Sequence, residues 1–159
     1  MQKKKIELNF ISAHFSEIEK KDQELIFNAK KAFESAYAPY SGFMVGASIL
    51  LENGEIINGS NQENVAYPSG LCAERVAMFY VGARFPDVKI NTIAVSVYSR
   101  NFEINDVISP CGACRQAIAE YEMKQELPIE IYFMGAEGKI IKSNSLANLL
   151  PFGFESSVL

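Results

Sequence analysis

The sequence has few of the residues that most often build a histidine metal site or a disulfide framework. Its 159 residues include one histidine, three cysteines and no tryptophan. The histidine, His14, lies far upstream of the cysteines and is typical of an ordinary core or surface residue. Three cysteines cannot all pair among themselves, which excludes a scaffold held by disulfides. The cysteines therefore need another explanation.

Long apolar runs and an excess of positive charge are also missing. No stretch approaches the ~20 apolar residues of a membrane span, and the N-terminus lacks the apolar segment of a secretory signal. The formal net charge is -4, so the field over most of the surface repels a phosphate backbone. The one basic run, Lys3-Lys4-Lys5, is typical of a solvated terminus. We expect a cytoplasmic protein whose partner is neither a membrane nor a nucleic acid.

Length and composition indicate a single folded domain. Apolar residues make up 48% of the chain, enough for a genuine core, and no repeat, linker or low-complexity stretch divides it. We predict one domain over residues 1–159, in which residues 1–21 form an N-terminal extension of unassigned role. Within this extension, Ile6, Leu8 and Phe10 alternate with a period of two, which predicts a strand and leaves an appended arm as the alternative.

Apolar periodicity predicts three helices and five further strands. The helices are predicted at 22–37, 72–84 and 111–124, and the strands at 43–51, 55–58, 90–98, 129–134 and 139–142. Pro39 ends the first helical pattern, and Asn53-Gly54 is a tight-turn dipeptide that predicts a hairpin. Helices and strands that alternate in this proportion favour an α/β sandwich with a mixed sheet.

The three cysteines fall at the starts of two predicted helices. Cys72 begins the second helix, and Cys111 and Cys114 lie three residues apart at the start of the third. Helix N-termini favour thiolate, the form that binds zinc, and three sulfurs favour zinc over magnesium or calcium. A structural zinc site normally has four protein ligands, so three leave one position for water. A redox pair of Cys111 and Cys114, or three buried thiols, are the alternatives.

Two charged residues follow Cys72. Glu74 lies in the same helical turn, close enough to the predicted open position to touch a water without binding the metal. Zinc would lower the pKa of that water toward ~7, so Glu74 is predicted to shuttle its proton, first as base and then as acid. Arg75 can offset the net charge of about -1 that three thiolates leave on zinc. A surface salt bridge is the alternative for Arg75.

Five motifs carry a resemblance to a known family. Cys72-Ala73-Glu74-Arg75 and Pro110-Cys111-Gly112-Ala113-Cys114-Arg115-Gln116 are similar to the zinc motifs of the cytidine deaminase family, in its small form with three cysteine ligands. Three further stretches are similar to family motifs: 39–47, 61–64 and 149–154. The resemblance spans residues 22 to 154 and implies a three-layer α/β/α sandwich with a mixed central sheet of about five strands.

The resemblance also implies an activity. It implies zinc-dependent hydrolytic deamination of cytidine and/or deoxycytidine to uridine or deoxyuridine, with release of ammonia, in pyrimidine salvage. One zinc ion per subunit would be the cofactor, and a small-molecule pyrimidine nucleoside would be the partner. The resemblance further implies a homotetramer with shared active sites.

Individual residues take roles from the same resemblance. Cys72, Cys111 and Cys114 match the zinc ligands, and Glu74 matches the catalytic acid and base. The residues that match substrate-binding positions are Phe43, Asn61, Glu63, Tyr67, Ala73 and Phe154. Among them, Asn61 and Glu63 would hold the ribose hydroxyls, and Phe154 would reach the site of a neighbouring subunit. Arg75 and Gln116 are predicted to support the metal ligands without binding the metal.

One departure and two alternatives stay open. Pro68 follows Tyr67 where many relatives have glycine, which leaves the preference between ribose and deoxyribose undecided. A zinc-stabilised binding module without turnover is a second functional class that the same cysteines fit. In a third possibility the reaction is the same deamination, but the substrate is a nucleotide, a modified cytosine nucleoside or a base in nucleic acid.

Overall fold

Six strands and three helices form the computed structural model, which describes residues 1–104 and 106–154. The strands are β1 (Ile11–Ala13), β2 (Phe43–Leu51), β3 (Ile56–Ser60), β4 (Ile90–Ser99), β5 (Glu130–Met134) and β6 (Ile140–Ser143). The helices are α1 (Lys20–Ala32), α2 (Ala73–Arg84) and α3 (Gly112–Gln125). The end of the predicted domain, 155–159, lies outside the described residues. In the described ranges, no helix combines the length and apolar character that crossing a membrane requires.

The strands form one mixed sheet in the order β1-β6-β5-β4-β2-β3. β4 and β5 run parallel, and every other pair of neighbours is antiparallel. The hairpin predicted around Asn53-Gly54 is formed by β2 and β3, with Ile49 opposite Ile57. The predicted mixed sheet is confirmed, with six strands in place of about five.

The sixth strand is β1, at the sheet edge, and the prediction of a strand over residues 6–10 is wrong. Those residues have no regular structure, and Ile6, Leu8 and Phe10 are 41 to 48% exposed. Their alternation does not produce a buried face, which is what a half-buried strand requires. The paired residues are instead Ile11–Ala13, antiparallel to β6. Ile6 and Leu8 line a groove beside Met123 of α3, in agreement with the appended arm.

Helices cover both faces of the sheet, which confirms the three-layer sandwich. Alternate residues of a strand point to opposite faces. In β4, Ile93 and Val95 belong to the core cluster that contains Met78 of α2 and Ile118 of α3. Ala94 belongs to the other core cluster, whose helical members are Leu25, Ile26 and Ala29 of α1. The sheet therefore separates two cores.

The first helix ends earlier than its pattern predicts. α1 stops at Ala32, Phe33–Ser35 form a single 3-10 turn, and Ala36 is extended. The backbone N–H of Tyr37 donates to the carbonyl of Asn61 at 3.0 Å instead of continuing the helix. This contact with a distant segment overrides the local helical pattern, so the predicted end at residue 37 is wrong by five residues.

Two features bring the starts of α2 and α3 together. α3 connects the parallel strands β4 and β5, so its N-terminus follows the carboxyl end of β4. α2 lies close against β3 at Gly59, where an added Cβ would be 2.6 Å from the carbonyl oxygen of Ala73. The absence of a side chain at Gly59 permits this approach, and Cys72 comes to lie beside Cys111 at the start of α3.

Candidate functional site

Three cysteine sulfurs meet at the N-terminal ends of α2 and α3. Cys72 and Cys111 immediately precede the two helices, and both have extended backbones. The three Sγ atoms, including that of Cys114, lie within 4.8 Å of one another. Those of Cys72 and Cys111 are 3.9 Å apart. A tetrahedral zinc ion with Zn–S bonds of ~2.3 Å places its sulfurs about 3.8 Å apart, so the cluster fits such an ion.

The number of ligands matches a catalytic rather than a structural zinc site. Within the described ranges, these cysteines are the one group of side chains clustered closely enough to hold a metal. His14 lies at the start of a 3-10 turn, where its backbone N–H donates to the Glu17 carboxylate at 2.7 Å. Three protein ligands leave a tetrahedral ion one further position, which catalytic sites use for water or substrate.

Proximity of the thiols shifts their pKa values in opposite directions. A hydrogen bond from Cys114 lowers the pKa of Cys72 to about 5, against the effect of burial, and the Arg75 guanidinium contributes in the same direction. The same bond to Cys72, together with burial, raises the pKa of Cys114. Of these two thiols, Cys72 therefore loses its proton first. A divalent cation among the sulfurs would favour the thiolate at all three.

Arg75 places a cation beside the sulfur cluster. Its Nη2 donates to the Sγ of Cys72 at 3.5 Å, and this bond raises the pKa of the guanidinium. Its Nε is buried and has no partner among the described residues. No ion pair in the described ranges includes Arg75, which disfavours the surface salt bridge. The guanidinium is placed to balance the negative charge of thiolates.

Glu74 is a buried carboxyl beside the same cluster. It lies in the first turn of α2 and is 5% exposed. Burial raises its pKa, and the neighbouring Cys72 thiolate raises it further. A carboxyl whose pKa is raised exchanges protons closer to neutral pH than an exposed glutamate does. Its location and environment therefore suit proton transfer.

Cys72, Cys111 and Glu74 line a cavity of about 630 Å³, a size that suits a small molecule. Its walls include the apolar side chains of Val45, Val95 and Val97. Five of the residues in the predicted catalytic and substrate-binding set share this cavity with Cys72 and Cys111. They are Phe43, Asn61, Glu63, Tyr67 and Glu74.

The Glu63 carboxylate is bound by the turn before β2. The backbone N–H groups of Tyr40 and Ser41 donate to its Oε2 at 2.9 and 3.3 Å. The Ser41 hydroxyl donates to Oε1. That hydroxyl is the main cause of the lowered pKa of Glu63, and the two N–H groups lower it further. Glu63 is therefore an ionised acceptor held in one orientation.

Asn61 is bound to β2 through both atoms of its amide. Its Oδ1 accepts from the N–H of Val45 at 2.8 Å, and its Nδ2 donates to the carbonyl of Phe43 at 2.9 Å. One N–H and one lone pair of the amide are left for a ligand. These bonds also fix β2, where the ring of Phe43 stacks on Phe102 with centroids 6.4 Å apart.

Four predicted site residues do not line this cavity, and one of them is the buried metal-cluster residue Cys114. Ala73 is fully buried in the first turn of α2. Phe154 is 62% exposed, and its backbone is bound by the Gln116 side chain, with bonds of 2.8 and 3.2 Å. The structure thus brings Gln116 to Phe154 rather than to the sulfurs. Gln116 fixes the direction of the C-terminal segment.

Two further residues support the site and have no role in the sequence prediction. Ser41 orients Glu63, as described above. Arg115 donates to the carbonyl of Pro110 at 2.8 Å, to the hydroxyl of Ser109 at 2.8 Å and to the carbonyl of Leu149 at 3.0 Å. It therefore fixes the loop that leads into Cys111. The position of Arg115 directly after Cys114 is the sequence signal that could have identified it as a residue supporting the metal site.

The site and fold define a class of protein. A three-cysteine metal site that opens into a cavity, with a buried carboxyl beside it, is typical of a zinc-binding hydrolytic enzyme.

Comparisons with known proteins identify the family. Residues 19–127 match the family model described as the cytidine and deoxycytidylate deaminase zinc-binding region. The chain is 40% identical over 144 residues to a cytidine deaminase of Sporosarcina psychrophila, covering 86% of this chain and 93% of that relative. It is 36% identical over 132 residues to a cytidine deaminase of Halalkalibacterium halodurans, covering 83% and 92%.

A solved structure agrees with both the fold and the family. The crystal structure of cytidine deaminase from Burkholderia pseudomallei superposes with a TM-score of 0.71 at 36% identity, covering 82% of this chain and 97% of that one. The chain belongs to the cytidine deaminase family. It is accordingly an enzyme, a hydrolase, and zinc is its cofactor, with Cys72, Cys111 and Cys114 positioned to hold the ion.

Proposed function

We propose that this enzyme carries out the zinc-dependent hydrolytic deamination of cytidine, deoxycytidine or both, producing uridine or deoxyuridine and ammonia in pyrimidine salvage. The observation that carries the proposal is the buried Glu74 carboxyl, which lines one cavity together with the sulfurs of Cys72 and Cys111. The relatives described above are named cytidine deaminases, which supports the same substrate class.

Held by the three cysteines, zinc would supply Lewis-acid chemistry and lower the pKa of a water toward ~7. Glu74 would accept one proton of that water while the oxygen adds to the ring carbon that bears the amine. The same carboxyl would pass this proton to the adjacent ring nitrogen and later deliver the second proton to the departing amine. Overall, one water is consumed and one ammonia leaves. Arg75 would stabilise the thiolates during these steps.

The cavity favours a nucleoside over a nucleotide. Glu63 is an ionised acceptor, which can bind a sugar hydroxyl and repels a phosphate. Asn61 offers one further donor and one acceptor beside it. The apolar walls and Phe43 suit the faces of a pyrimidine ring. The net charge of -4 argues against a nucleic acid substrate.

We also propose a cytoplasmic homotetramer in which Phe154 completes the site of a neighbouring subunit. Three free thiols suit a reducing compartment. Phe154 is exposed and is not among the residues that line this chain's own cavity, which leaves it available to a partner. Size-exclusion chromatography with light scattering would measure the assembly. A mass of one or two chains would contradict a tetramer.

A substrate panel tests the proposed reaction. Ammonia release would be measured with cytidine, deoxycytidine, deoxycytidine monophosphate and short single strands. We expect release from the two nucleosides and little from the monophosphate or the strands. No release from any of them would contradict the proposal and favour the zinc-stabilised binding module. Release from the strands alone would favour a nucleic acid deaminase.

A further inference from the structure

The turn formed by residues 40–42 holds the Glu63 carboxylate. Both carboxylate oxygens accept hydrogen bonds from this turn: Oε2 from two backbone N–H groups and Oε1 from the hydroxyl of Ser41. That hydroxyl also accepts from the backbone N–H of Phe43 at 2.9 Å, so its rotation is restricted. A displacement of the turn would therefore displace the carboxylate with it.

The turn is itself held by the chain that leaves β4. The Nδ2 of Asn101 donates to the carbonyl of Ser41 at 2.8 Å, and the N–H of Arg100 donates to the carbonyl of Gly42 at 3.0 Å. The backbone of Asn101 is anchored in the sheet, because its N–H donates to the hydroxyl of Ser99 at 3.2 Å. Asn101 thus connects the end of β4 to the turn that holds the Glu63 carboxylate.

Close packing at Gly42 makes this contact specific. Gly42 has a φ of +65°, and an added Cβ would lie 2.7 Å from the Nδ2 of Asn101. A side chain at Gly42 would strain the backbone and push the amide of Asn101 off the Ser41 carbonyl. The contact can therefore be disturbed from either side.

We propose that Asn101 is a positioning residue for sugar recognition, which acts through the turn at Ser41 on the orientation of the Glu63 carboxylate. This inference rests on the proposed function, in which Glu63 binds a ribose hydroxyl. Asn101 is not among the residues that line the cavity. Its effect is therefore on the binding of the sugar and not on the chemical step at Glu74.

The test compares cytidine with 2′,3′-dideoxycytidine, which lacks both sugar hydroxyls that Glu63 could bind. In the zinc-loaded, full-length Asn101→Ala variant, we expect KM for cytidine to rise about threefold to tenfold, the effect of losing one well-placed hydrogen bond. We expect kcat to stay within about twofold, and KM for the dideoxy substrate to be unchanged. In a Glu63→Ala background, Asn101→Ala should add less than about twofold, since coupled residues are not additive.

Gly42→Ala provides a second route to the same result, because it disturbs the contact without changing Asn101. Asn91→Ala, an exposed position near the other end of β4, is the matched control and should leave both KM values unchanged. Zinc content and melting temperature would be measured for each variant. An equal loss for both substrates, a fall in kcat alone, or no change in KM for cytidine would overturn the proposal.

The outcome also separates this proposal from the proposed function. A wild-type enzyme that releases no ammonia from cytidine would overturn both. A wild-type enzyme that deaminates cytidine and prefers it to the dideoxy substrate, while Asn101→Ala keeps that preference intact, would overturn the role of Asn101 alone.

Discussion

The guanidinium of Arg75 donates to the Sγ of Cys72 at 3.5 Å, which places a permanent positive charge beside one of three clustered sulfurs. Three thiolates around a zinc ion carry a net charge of about -1, which would weaken the ion as a Lewis acid. The guanidinium would offset that charge without occupying a position on the metal.

We expect Arg75→Gln to weaken zinc binding about 10-fold to 100-fold, as is typical when a hydrogen bond to a metal ligand is lost. Titration against a chelator of known affinity would measure the change. The matched control is Arg84→Gln, at the opposite end of the same helix, which should leave zinc affinity within about threefold of wild type. Equal effects of the two substitutions would show that Arg75 acts only through stability or surface charge.

Glu74→Gln should retain zinc and lose turnover. The amide keeps the size of the carboxyl but cannot accept and return a proton. We therefore expect kcat to fall by a factor of about 10² to 10⁴. Metal analysis and a single-turnover ammonia assay would measure both quantities. Glu34→Gln, at an exposed position in the turn after α1, is the control and should keep full activity. A Glu74→Gln enzyme with wild-type kcat would rule out the assigned proton shuttle.

Gly59→Ala should damage the metal site from a distance. The added Cβ would lie 2.6 Å from the carbonyl of Ala73, so the start of α2 must move and Cys72 must move with it. We expect about 1 to 3 kcal/mol of lost stability together with reduced zinc affinity. Gly112→Ala is the control, since a Cβ at Gly112 meets no atom within 4 Å although it lies beside Cys111. Unchanged zinc affinity in Gly59→Ala would show that the close approach at Gly59 does not position Cys72.

Glu122→Ala should destabilise the fold without affecting the site directly. Its carboxylate accepts from the N–H of Ile129 at 2.7 Å, from the N–H of Leu146 at 3.0 Å and from the hydroxyl of Ser145 at 2.7 Å. Loss of these bonds should lower the free energy of unfolding by about 2 to 4 kcal/mol. Glu120→Ala, exposed on the same helix, should cost less than about 0.5 kcal/mol. Urea unfolding of the two variants would compare them directly.

Zinc removal should expose a reactive thiol at Cys72. The pKa of Cys72 is lowered to about 5, while that of Cys114 is raised, so near pH 7 the metal-free protein carries a thiolate at Cys72 and a thiol at Cys114. We expect iodoacetamide to label Cys72 rapidly at neutral pH and more slowly as the pH falls through about 5. Labelling followed by peptide mass spectrometry would identify the residue. Zinc-loaded protein should be protected, and preferential labelling of Cys114 would contradict the assignment.

The metal cluster was predictable because its geometry is local. The spacing of Cys111 and Cys114 places both sulfurs in one helical turn, and Glu74 shares a turn with Cys72. Only the meeting of the two helices depends on the tertiary fold. Because three cysteines at two helix starts are best explained by one shared zinc ion, the sequence alone predicted that the two helix starts meet. It also predicted the ion and its open coordination position.

The contacts that orient the residues proposed to bind substrate could not be predicted in the same way. Asn101 reaches Ser41 across 60 residues of sequence, and neither position has a pattern that points to the other. Gln116 similarly binds the backbone of Phe154, a partner set by the path of the C-terminal segment. The edge strand at 11–13 is too short to show an apolar periodicity. The alternating apolar residues just before it are exposed, and their pattern wrongly predicted a strand there.

Cys72 and Cys111 occupy the positions where a serine or aspartate would normally cap α2 and α3, and neither sulfur caps a backbone N–H of its helix. A zinc ion bound by both sulfurs would hold the two helix starts together where no side chain caps them, so a cell short of zinc would hold a less stable protein as well as an inactive one. Metal supply would then govern how long the polypeptide survives proteolysis as well as how fast it works.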